Sequence, residues 1–202
     1  MSSHAGFLRL LARLAAVFLL LGSGGAGSFD SELWPGEGVP RFAATTDRLV
    51  LHEDPDAASP IVAEHPIDPG EEIAYGRTRF RTIDEGVVIA REPGRLLVRD
   101  LGEVERLSEN RYYAADPALE ELPYAVGDAF AYLQYRAEGS CLIRHQGAVL
   151  EVDGCPWQEP AGAFEVVREP LTQWWVEVTD AQGQALGWLE IDEKVKVLPR
   201  GF

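Results

Sequence analysis

The sequence predicts an all-β protein, built as two small β modules in tandem behind a cleaved export leader. Three observations predict it. Short apolar stretches alternate with polar residues at a period of two, as in Trp174–Thr179 and Lys194–Leu198. Clusters of Pro, Gly, Asp and Ser separate those stretches at turn-like intervals. At the N-terminus, Arg9 and Arg13 precede the apolar run Leu14–Leu21, and the small-residue tail Gly22–Ser28 follows it.

The leader is taken as residues 1–27. Its apolar run is too short to span a bilayer unaided, and no Cys follows it to carry a lipid. Cleavage leaves roughly 175 residues without a membrane anchor, a size that suits one large or two small domains. The alternative is a retained N-terminal anchor. Export removes two arginines and no acid, so 16 basic residues face 33 acidic ones and the net charge moves from −15 to −17. Such a chain repels nucleic acid and anionic lipid. Its acidity is compatible with basic partners or cations, and equally with simple solubility.

Residues 28–40, with Trp34-Pro35-Gly36-Glu37-Gly38, read as an extended lead-in. The first module covers residues 41–113. Leu49 and Leu51 alternate, Asp54-Pro55-Asp56 turns the chain, Ser59–Ala63 is a second strand, and Asp68-Pro69-Gly70 turns into Glu72–Tyr75. Arg77–Thr82, Gly86–Ala90 and Arg95–Arg99 also read as strands. Between Arg99 and Tyr113 the pattern is ambiguous, with Leu101, Val104 and Leu107 at helical spacing beside two tyrosines. Residues 114–123, which include Asp116-Pro117 and Pro123, form the expected linker.

The second module covers residues 124–202. Gly127–Tyr135 reads as a strand, and Ser140–Cys155 as a hairpin about Gln146-Gly147. Phe164–Arg168 follows a proline-rich loop. In the closing stretch Trp174, Val176 and Val178 share one face and Trp175, Glu177 and Thr179 the other, with Asp180–Gln184 as the turn. Gly187-Trp188-Leu189 opens a return strand, and Lys194–Leu198 completes a three-strand meander.

A double Trp, a short polar hairpin, a Gly-Trp return and a final Val strand make Thr172–Leu198 resemble the C-terminal half of a Src-homology-3-type barrel. Arg48–Ile73, with its aliphatic strand, Pro-containing loop, Ser-Pro-Ile-Val strand and following Gly, resembles the N-terminal half of the bacterial form. The resemblance implies two Src-homology-3-like β-barrels in tandem, and ligands along an aromatic groove. Trp174 is then the groove residue and Trp175 lies on the far side, although period alone does not choose between them. Where the family places a groove Pro and Tyr, this chain has Glu190-Ile191-Asp192-Glu193.

Chemistry-bearing residues are few. Cys141 and Cys155 are the only cysteines, and an even pair in an exported chain reads as a disulfide. Cys141 beside His145 also suggests a thiol nucleophile, and Cys141, His145 and Cys155 an incomplete zinc set. His52 and His65 read as surface histidines. The loop acids Glu53, Asp54 and Asp56 lack calcium-loop spacing. Strand period puts Tyr132 opposite in face to Tyr135, and Trp174 to Trp175, so one of each pair should be exposed. These four are the candidate binding residues.

The expected function is therefore non-catalytic recognition in the periplasm or outside the cell, with no cofactor and no metal. The partner the resemblance implies is peptidoglycan peptide or an envelope protein. The alternatives are an accessory or inhibitory subunit of an envelope complex, and a small hydrolase using Cys141. Mass spectrometry of the exported protein should find a new N-terminus between Gly25 and Phe29, and an intact Met1 there would overturn the leader assignment.

Overall fold

The computed structural model describes residues 29–32, 39–102, 118–136, 139–158 and 162–198. The leader, the Trp34–Gly38 part of the lead-in, residues 103–113 of the ambiguous segment and residues 114–117 of the expected linker lie outside these. Within them the protein is all-β. The strands are β1 (Phe29–Ser31), β2 (Arg41–Ala44), β3 (Arg48–His52), β4 (Ile61–Pro66) and β5 (Tyr75–Asp84). Then come β6 (Gly86–Ala90), β7 (Gly94–Asp100), β8 (Glu120–Tyr124), β9 (Ala129–Tyr135), β10 (Cys141–His145) and β11 (Ala148–Val152). After a single 3-10 turn at Pro156–Gln158 follow β12 (Phe164–Arg168), β13 (Leu171–Thr179), β14 (Ala185–Glu190) and β15 (Val195–Leu198).

The chain forms two compact units, and they are not the tandem halves 41–113 and 124–202. One is discontinuous, Phe29–Ile83 with Thr172–Phe202, and the other, Asp84–Leu171, is inserted into it in sequence. The discontinuous unit holds a six-stranded sheet in the order β1-β5-β13-β14-β3-β4 and the two-stranded pair β15-β2. Among the described residues neither sheet closes into a barrel. The two segments that share the barrel resemblance, 48–73 and 172–198, thus belong to one unit. Period identifies a strand and its faces but says nothing of which distant strand it joins.

The same limit accounts for β15. It was expected beside β14 in a meander, but it pairs with β2, Val195 opposite Ala44 and Leu198 opposite Arg41. The Asp192 carboxylate accepts from the Lys194 N–H at 2.8 Å and its carbonyl from the Val195 N–H at 3.1 Å, a turn that redirects the chain. The core of this unit joins both segments: Phe42, Leu49 and Leu51 from the first pack with Val176, Val178 and Leu189 from the second.

In the inserted unit seven antiparallel strands run β12-β6-β9-β10-β11-β7-β8. The sheet curls until rings from its two edge strands touch: Tyr124 of β8 and Phe164 of β12 lie with centroids 4.8 Å apart. Phe130, Tyr132 and Trp157 fill the interior. Gly94, opposite Tyr124, makes room for that ring, since a Cβ there would lie 2.5 Å from the Tyr124 hydroxyl. The expected linker reaches into β8, where Pro123 sits opposite Arg95. Proline fits because β8 is an edge, with only one neighbour to donate to.

The hairpin at Gln146-Gly147 is as read, with both residues at positive φ (51° and 87°). Cys141 lies opposite Val152, and Gly154, at φ 74°, turns the chain so that Cys155 reaches back to bond it, Cα to Cα 5.1 Å. A covalent loop of this size contributes about 3 kcal/mol in the chain-entropy account.

Strand β13 differs from expectation in being covered on both faces. Val176 and Val178 are buried in the core, and Trp175, on the opposite face, is 1% exposed. Trp174 is half-buried, its ring 5.2 Å from that of Phe80. Trp175→Ala should therefore cost about 3–5 kcal/mol and Trp174→Ala clearly less, which thermal melts of the two variants will show.

Candidate functional site

Strands β3 and β14 meet at one register pair, Trp188 opposite His52. What lets them approach there is Gly187, at φ 145°, where a Cβ would lie 3.0 Å from both the His52 carbonyl oxygen and the Leu51 Cβ. Beyond that pair no further register pairs join them, and a cleft of about 180 Å³ opens between Arg48–His52 on one side and Leu189–Lys194 on the other.

The lining follows from strand alternation. Ile67 donates its N–H to the Asp47 carbonyl, which puts the backbone groups of Leu49 and Leu51 on the β4 side of β3 and those of Arg48, Val50 and His52 on the β14 side. Ile191 donates to the Trp174 carbonyl, so Leu189 faces β13 while Trp188 and Glu190 face β3. Val50 and Glu190 thus turn their peptide groups toward one another across the opening.

Charged side chains rim it. Arg48 is held by Glu64 at 2.7 Å, and Lys194 lies 3.7 Å from Asp192. Glu190 has no cationic partner within ion-pair distance among the described residues. Burial, with the charge of Asp192 added, pushes its carboxyl above the ordinary range, while nearby His52 and a hydrogen bond with Gln173 pull the other way. The His52 Nδ1 lies 3.0 Å from the Ser59 carbonyl, and its ring meets Trp175 edge-on at 5.5 Å.

On the same sheet a polar and aromatic row runs across the strands. Arg77 grips Glu177 through two nitrogens, at 2.8 and 2.5 Å, and its guanidinium carbon stands 5.4 Å from the centre of the Trp188 ring, within cation–π range. Glu177 lies opposite Trp188, and Trp188 opposite His52. The pair with Arg77 holds the Glu177 carboxyl below its usual range.

The four candidate binding residues divide between the two units. Trp174 and Trp175 belong to the discontinuous unit, and Tyr132 and Tyr135 to the inserted one. Beside Trp174 is a slot lined by Thr78, Phe80 and Ile191 that is too narrow for a water molecule. Tyr132 and Tyr135 do not lie on opposite faces, because a bulge in β9 shifts its register against β10. Tyr132 stands opposite Ile143 and Tyr135 opposite Cys141, and those partners share a face. Tyr132 is buried against Trp157, whereas Tyr135 is exposed at the strand end and its hydroxyl accepts from the Gly139 N–H at 3.2 Å. The Cys141 sulfur is bonded to Cys155, so it offers neither a thiol nor a zinc ligand.

Sequence reasoning left His52 as a surface histidine and gave no role to Arg48 or Lys194. Glu190-Ile191-Asp192-Glu193 reads only as a departure from the groove Pro and Tyr of the barrel resemblance, so no residue type points to the cleft. No protein-family profile, curated protein or solved structure matches the chain.

The raised Glu190 carboxyl has a measurable sign. A carboxyl whose folded pKa exceeds its unfolded value favours folding while protonated, and that contribution is lost as pH rises through the folded value. Glu190→Gln should then melt at or above the parent temperature at neutral pH, and the gap should close below the ordinary carboxylate range. Melts across that window test it, and a clear loss of stability at neutral pH would overturn it.

Proposed function

We propose that this is an exported, non-catalytic recognition protein that binds a cell-wall peptide or a protein partner in the cell envelope. The observation that carries the reading is the open cleft between β3 and β14, with two facing strand edges that do not pair there. Unpaired strand edges are ready-made contacts for a peptide main chain. The barrel resemblance supports the same reading, now for one Src-homology-3-like unit assembled from residues 39–83 and 172–198 rather than for two in tandem. The leader-like N-terminus supports the envelope setting, and the disulfide suits an oxidising compartment. The alternative of a hydrolase using Cys141 loses its nucleophile to that disulfide.

The mature protein immobilised through its C-terminus and exposed to envelope extract should retain peptidoglycan fragments or one protein. Recovery of a single protein at one-to-one stoichiometry favours an accessory subunit. Retention of neither, at low salt where charge attraction is strongest, overturns the recognition reading.

A further inference from the structure

We infer that the cleft between β3 and β14 receives a primary ammonium carried on a short peptide, with the Glu190 carboxylate as its counter-ion. This rests on the recognition reading and narrows it to one chemistry.

Size comes first. A volume of about 180 Å³ corresponds to about six waters of the liquid, room for one long side chain or a chain end rather than for a folded surface. Polarity comes next. The peptide groups of Val50 and Glu190 face the opening from opposite sides, so an entering main chain finds N–H donors and C=O acceptors on both walls.

Charge decides the sign of the ligand. Both cations at the rim are already matched, Arg48 by Glu64 and Lys194 by Asp192. An anion would have to displace one of those carboxylates. Around Glu190 stand a neutral amide, the nearby His52 and the like charges of Asp192 and Glu193, so an ammonium is the partner it lacks. A divalent metal would want several converging oxygens and would meet Arg48 and Lys194 at close quarters. The excess of acid over base in the chain as a whole draws cations from a distance.

The test is a calorimetric or NMR titration of the mature full chain with three capped tripeptides. One carries a free lysine side chain, one a free α-amine and no lysine, and one an Nε-acetylated lysine. Binding of either amine with a Kd of about 1 mM or tighter, and at least about tenfold weaker binding of the acetylated form, is the expected result. Glu190→Gln should lower affinity for the amine by at least about tenfold while melting at or above the parent temperature. Which amine binds tells a side-chain source from a chain-end source. Equal binding of the acetylated peptide overturns the inference, as does undiminished binding to Glu190→Gln, or no binding of either amine at about 10 mM. Should the amines fail while envelope extract still yields a partner that Glu190→Gln retains, recognition stands and the ammonium site falls. Should the amines bind as expected while the extract yields nothing, the site stands and the envelope reading falls.

Discussion

The discontinuous unit depends on one close approach, that of Gly187 to Leu51 and His52. Two stretches of chain separated by the whole of Asp84–Leu171 become neighbours there, and the aliphatic residues of both then share one core. Any side chain at position 187 would force the strands apart, because the atoms it would meet include the His52 backbone carbonyl. The same approach limits itself to a single register pair, and the divergence beyond it is the cleft. Core and opening are two consequences of how closely β14 comes to β3.

Interrupting a small β unit with a folded insert is energetically modest. Loop-closure entropy grows only with the logarithm of length, and an insert that carries its own core and disulfide orders itself independently of the strands it separates. The insert enters after β5 and leaves before β13, and those two strands are adjacent in the six-stranded sheet.

Much of the local structure was legible. Alternation located β3 and β13, short apolar runs located β6, β10 and β11, the Gln146-Gly147 and Asp180–Gln184 turns were readable from residue type, and the two cysteines bond each other. In the second of those turns the Asp180 carboxylate accepts from the Gln182 and Gln184 N–H groups, at 2.9 and 2.8 Å. Partner choice was not legible, since an alternating strand presents the same pattern to any neighbour. Two half-motifs, one resembling the N-terminal and one the C-terminal half of a barrel, therefore read as two domains although both lie in one unit. Neither was the β9 bulge, which a single extra residue creates and which moves Tyr135 to the face of Tyr132. The cleft arises from strands failing to pair, and no residue type announces that.

The six- and the seven-stranded sheet each have one edge strand that carries a proline. Pro66 closes β4 and Pro123 lies within β8, each at the margin of its sheet, with Pro60 just ahead of β4. β4 also exposes Ile61 and Val62, at 61% and 50%, in a short row that would otherwise invite another chain. A proline removes a donor and obstructs further strand addition, and Glu64, tied to Arg48, adds charge to the same edge. These edges would discourage sheet-to-sheet polymerisation. Strand-like contact with another chain is thereby discouraged at these two margins, whereas the gap inside the sheet carries no such guard.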